Sequence, residues 1–108
     1  MKTYNKLVRD WIPDIIKEGG MVPVISIIFS DNEYINMLDK KLDEELAEYH
    51  RDQTIEELAD LLEVVYAAAA ARGYTPADLD TVREAKAEKC GRFNKRILLV
   101  GVRDKEGG

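Results

Sequence analysis

With one cysteine, Cys90, the chain can form no internal disulfide, so its stability has to come from packing, metal or partners. A single reduced thiol suits a cytoplasmic protein. One histidine, His50, is too few for the Glu-x-x-His pairs that a di-iron carboxylate bundle takes from two helices. Long apolar runs are missing as well. The most apolar stretch, Val64 to Ala71, is ended by Arg72 and is too short to cross a bilayer. The start, Met1-Lys2-Thr3-Tyr4, lacks the apolar centre of a signal peptide, and no membrane association is expected. Positive charge is in deficit. The net charge of −5 argues against a nucleic-acid polymer as partner, because such binding depends on cationic neutralisation of phosphates.

What remains is a chain of 108 residues, 45% hydrophobic and 34% charged, with no low-complexity tract and no internal boundary. This reads as one globular domain over 1–108 with a modest core. Leu7 to Glu18 reads as a short helical region interrupted by Pro13 and stopped at Gly19-Gly20. Val22 to Phe29, rich in β-branched residues, reads as a strand, as does Ile97 to Val102. The two could pair with each other or across a subunit interface. After the cap-forming Ser30-Asp31-Asn32, a helix is expected from Glu33 to about His50, with Ile35, Leu38, Leu42, Leu46 and Tyr49 on one stripe. Arg51 to Gln53 is a short turn. Thr54 with Glu57 is a capping-box signature for a second helix that Gly73 ends. Thr75-Pro76 with Asp78 opens a further helix to about Lys89. The tail from Asp104 to Gly108 is expected to fray. The second helix of the hairpin is apolar on most of its circumference and needs cover on every side, which so few elements cannot supply. A homodimer or homotetramer is therefore expected.

The informative residues are Glu45, Glu48, Glu57 and Asp60. Each pair has i, i+3 spacing, which sets both carboxylates on one helix face. Residues that oppose one another across an antiparallel hairpin have a constant positional sum, and 45 with 60 and 48 with 57 share it. The acids also border apolar faces: Glu57 with Leu61, Val64 and Ala68, Asp60 with Val64 and Ala67, and Glu45 beside Leu38, Leu42 and Tyr49. Carboxylates gathered at a helix seam repel one another and lose hydration. A hard cation with oxygen ligands relieves both costs, and Mg²⁺ is the most available. Against this stands the ordinary use of helix acids as solvated partners for Lys40, Lys41 and Arg51. Glu44 and Glu63 fall further from the seam and read as solvated or as outer support.

With these residues in place, the chain resembles the all-α nucleotide pyrophosphohydrolases of the MazG-like superfamily, which includes phosphoribosyl-ATP pyrophosphohydrolase. The hallmark stands here as Glu44-Glu45-Leu46-Ala47-Glu48 and Glu57-Leu58-Ala59-Asp60. Tyr4 to Asp10 with Ile12-Pro13, and Gly91 to Ile97, are similar to a house-cleaning branch of that group. Trp11 stands where that branch has lysine, and Cys90-Gly91-Arg92-Phe93 replaces Arg-Gly-Gly-Phe.

The resemblance implies an all-α helical hairpin or bundle with one or two short accessory strands. It also implies Mg²⁺-dependent cleavage between the α and β phosphates of a nucleoside triphosphate or phosphoribosyl nucleotide, with Mn²⁺ as a substitute. In that chemistry the metal bridges phosphate oxygens and acidifies an attacking water. Glu48 or Glu57 would orient or deprotonate it. Lys6, Arg9, Lys86, Arg92, Lys95 and Arg96 are candidates for the outer phosphates, and Phe93 for stacking on a base or for the core. The alternative is a non-catalytic metal- or nucleotide-binding dimerisation module.

Overall fold

The computed structural model describes residues 1–106, so the end of the expected frayed tail, 107–108, lies outside the described residues. Four helices follow in order: α1 (Ile12–Glu18), α2 (Asp31–Asp52), α3 (Ile55–Ala71) and α4 (Pro76–Cys90). The protein is all-α. Packing runs α2 on α3 and α3 on α4, and α2 with α3 forms the dominant contact.

Local chemistry explains each boundary. Ser30 Oγ accepts from the Glu33 amide at 3.3 Å and starts α2 two residues earlier than the apolar stripe predicts. Gln53 ends α2 in the left-handed region, φ 54°, and its amide donates to Tyr49 O. Thr54 then caps α3, accepting from the Glu57 amide at 3.3 Å. The capping box expected here is only half formed, because the Glu57 carboxylate does not return to the Thr54 amide. The complete box lies at α4, where Thr75 Oγ1 accepts from the Asp78 amide and the Asp78 carboxylate accepts from the Thr75 amide at 2.9 Å. Thr75→Ala is accordingly expected to cost about 1 kcal/mol. A thermal melt by circular dichroism should show it as a drop of roughly 4–8 °C.

Other expectations need correcting. The region from Leu7 is not helical until Ile12, where Pro13 sits in the first turn and forgoes only an amide that no helix start satisfies. Neither Val22–Phe29 nor Ile97–Val102 is a strand among the described residues. A strand needs a neighbour to take its amides and carbonyls, and this single chain gives these segments none. Both stand exposed, with Val22 at 86% and Val100 at 92%. The stripe on α2 is partly seam: Leu38 is buried, Ile35, Leu42 and Tyr49 half-buried, and Leu46 faces outward.

Little of the chain is enclosed. Among the described residues only Leu38 and Glu45 are buried, and α3 has no buried residue at all. The accessible surface is 9907 Å², where a folded monomer of this mass exposes roughly 6,100 Å². The radius of gyration is 19.6 Å against about 13 Å for a compact domain of this length. The molecule extends over 70 Å in its longest direction. No helix is long and apolar enough to cross a membrane among the described residues.

Candidate metal centre

The α2–α3 hairpin brings the acids together. Glu45, on α2, meets Glu57 and Asp60 near the start of α3, each offering a carboxylate oxygen within 4.8 Å of the others. Glu44, Glu45 and Glu48 form a second such group on α2, so Glu45 is common to both. It is also the one buried charged residue among those described, 7% exposed.

The electrostatics follow from this crowding. Burial pushes the Glu45 carboxyl above its ordinary range, and the neighbouring Glu48 carboxylate pushes the same way. Lys41 Nζ, 3.4 Å away, opposes them without prevailing. Glu57 is raised by loss of hydration first, then by the carboxylates of Glu48, Asp52 and Asp60. Glu44 goes the other way: burial raises it, but Lys41 and Lys6 together outweigh that and hold it below the usual carboxylate range. Two buried oxygens, Glu45 Oε2 and Glu57 Oε2, have no hydrogen-bond partner. An unpartnered buried carboxylate oxygen is costly in water-poor surroundings. It is also what a hard divalent cation requires of its ligands. The donor set suits a hard divalent cation, which Glu45, Glu57 and Asp60 would hold across the hairpin, with Glu48 reaching it only through Glu45 on α2.

The N-terminal segment reaches the same place. Arg9 Nη2 donates to Asp60 Oδ1 at 2.7 Å, and Lys6 Nζ to Glu44 Oε1 at 3.2 Å. Both candidate phosphate ligands are thus among the acids. The C-terminal candidates are not. Lys86 and Lys95 form no ion pair with the four acids among the described residues, and Arg92 pairs with Glu84 at 2.8 Å. Phe93 is 97% exposed, so it is not core, nor does it touch the acids within this chain. Arg51, considered as a partner for the acids, turns to Asp52 at 3.1 Å. His50 is exposed near the end of α2.

Two residues matter more than their positions in the sequence suggest. Helical phase sets Glu44 away from the seam, yet it belongs to the acid group. Lys41, one turn before it, serves both Glu44 and Glu45. The signal available was the i, i+3 and i, i+4 spacing of Lys41 to those two acids.

No family model matches this chain, and no solved structure matches it. A protein of Mycolicibacterium smegmatis, described as an uncharacterized protein, is 51% identical over 49 residues, 45% of this chain. The match covers 49% of that protein, so the chain spans about half the length of the curated relative it matches.

Proposed function

We propose that this protein is a Mg²⁺-dependent nucleoside triphosphate pyrophosphohydrolase of MazG-like type, cleaving between the α and β phosphates to release a nucleoside monophosphate and pyrophosphate. One observation carries the reading: Glu45, Glu57 and Asp60 converge across the hairpin, Glu48 adjoins Glu45 on α2, and two buried oxygens of this set have no partner. A bound divalent cation supplies charge neutralisation for the phosphates and Lewis acidity at the site. The chain's own residues do the rest. Glu45 and Asp60 complete the ligand set. Glu48 or Glu57 holds or accepts the proton of the attacking water. Lys6 and Arg9, already beside the acids, exchange their carboxylate partners for phosphate oxygens. Non-canonical nucleotides are the substrates in this reading, and Mn²⁺ replaces Mg²⁺ with the same oxygen ligands. The test is pyrophosphate release from a panel of canonical and damaged nucleotides with Mg²⁺. Turnover of none of them at stoichiometric enzyme would sink the reading.

The non-catalytic alternative, a metal- or nucleotide-binding dimerisation module, has one observation in its favour. Lys86, Arg92, Phe93 and Lys95 stand apart from the acids in the single chain. Nucleotide binding without pyrophosphate release would select it.

The same reading takes the active form to be a homodimer or homotetramer. The surplus of roughly 3,800 Å² over a compact monomer exceeds the ~800 Å² each partner contributes to a standard interface. It includes the apolar segments Val22–Phe29 and Ile97–Val102. Sedimentation equilibrium at micromolar concentration should return at least twice the 12.3 kDa chain mass. A single 12.3 kDa species would overturn it.

A further inference from the structure

Two ammonium groups meet on a single oxygen. Glu44 Oε1 accepts from Lys6 Nζ and from Lys41 Nζ, each at 3.2 Å. The three side chains line a recess of about 140 Å³ between the N-terminal segment and α2, closed by Leu7, Met37 and Lys40. A volume of liquid that size corresponds to several waters at about 30 Å³ each. Lys40 has no ion-pair partner among the described residues. In a chain of net charge −5, this is a recess lined by three lysines and one carboxylate, with two of the ammonium groups on that carboxylate.

The arrangement is that of an anion site holding an internal anion. Lysine binds phosphate as a compact point charge, without the planar fork that would demand one geometry. The Glu44 carboxylate, 30% exposed, stands where an incoming phosphoryl oxygen would be shared between Lys6 and Lys41. Glu44 also lies within 4.8 Å of carboxylate oxygens of Glu45 and Glu48. An anion in the recess therefore adjoins the acid cluster directly.

We propose that this recess is a subsite for the outer phosphates of the nucleotide, and hence for the pyrophosphate released from them, with Glu44 as the displaceable anion that keeps Lys6 and Lys41 together until phosphate arrives. Glu44 already belongs to the acid group with Glu45 and Glu48, so filling the recess removes the ammonium partners of one of its carboxylates. The identity of the physiological anion rests on the nucleotide reading above. The recess itself is tested without metal or hydrolysis.

The experiment is calorimetric titration of the whole chain with inorganic pyrophosphate in the presence of a chelator. Lys6→Met and Lys41→Met should each weaken binding about tenfold, the scale of one charge-assisted hydrogen bond. Glu44→Gln should tighten it severalfold, because the internal competitor loses its charge. Lys89→Met, on α4, controls for general charge and should leave affinity unchanged. Lys41 also offsets the buried Glu45, so its variant could lose the fold. Lys6, with its side chain 42% exposed, keeps the test decisive. No pyrophosphate binding by the wild type overturns the proposal. So does wild-type affinity in a Lys6→Met protein of unchanged melting temperature, or weaker binding by Glu44→Gln. Intact pyrophosphate binding without turnover of any nucleotide would instead refute the enzymatic reading and leave the subsite standing.

Discussion

Replacing Glu45 with Gln is expected to stabilise the metal-free protein and to erase its response to Mg²⁺. Glu45 is the buried acid shared by both carboxylate groups, and one of its oxygens has no partner. In the wild type, Mg²⁺ at a hundredfold excess over its dissociation constant should add about 2.7 kcal/mol if the unfolded chain does not bind it. For a chain of this length that is a rise in melting temperature of roughly 10–20 °C. Glutamine keeps the shape of the side chain but removes the charge that burial and Glu48 make unfavourable.

The pH dependence has a definite sign. A carboxyl raised in the folded state binds its proton more tightly there than in the unfolded chain. Its contribution to metal-free stability is therefore full below the ordinary Glu range and is lost as pH rises through the folded value. The Gln variant lacks this loss, so its stability above pH 5 should fall less with pH than that of the wild type. Glu44, held low by Lys41 and Lys6, contributes oppositely, losing stability as pH falls through its lowered value. It is present in both proteins, so their difference reports on Glu45 together with the Lys41 that it shares with Glu44. The measurement is a set of thermal melts from pH 4 to pH 8, with and without Mg²⁺. Equal Mg²⁺ shifts in the two proteins would rule out Glu45 as a ligand.

The second large effect is on catalysis. On the pyrophosphohydrolase reading with Glu57 as the base, Glu57→Gln should lower pyrophosphate release by about 10²–10⁴-fold, the range for losing a positioned general base, while the helical circular dichroism spectrum is unchanged. Glu57 has a raised carboxyl and an unpartnered buried oxygen in contact with the acid group. Glu63→Gln, exposed on the same helix, should retain activity within a factor of about two, as expected of a surface change near ±0.5 kcal/mol. Equal losses in the two variants would mean that negative charge along α3, and not a particular carboxylate, supports the activity.

The helical part of this architecture was legible because its signals are local. Ser30, Thr54 and Thr75 are N-caps that bond amides three residues on, and Gly73 has the positive φ that the C-terminal region of α3 requires. The approach of Glu45 to Glu57 and Asp60 was legible for the same reason, since it depends only on helical phase and a short turn. What could not be read depends on distant parts of the chain. Lys6 and Arg9 reach Glu44 and Asp60 across 38 and 51 residues, and no periodicity encodes that approach. Val22–Phe29 has the composition of a strand, but composition says nothing of whether a neighbour is present. By its spacing from Thr54, Glu57 is the return half of a capping box. In the fold its carboxylate serves the acid group, so one residue matched two local rules and only tertiary placement chose between them.

The link between α2 and α3 has a further consequence. Gln53 closes one helix and Thr54 opens the next, so nothing between them can absorb a change of length. One residue inserted in α3 ahead of Glu57 would turn Glu57 and Asp60 by about 100° around the helix axis and carry them out of mesh with Glu45 and Glu48. Two full turns would restore the angle but displace the acids by roughly 10 Å along the axis. Residues 45–60 thus behave like a pair of gears on fixed axles. Side chains on the outer flanks can vary freely, whereas a single residue inserted or deleted within either helix between the acids and the turn takes them out of phase.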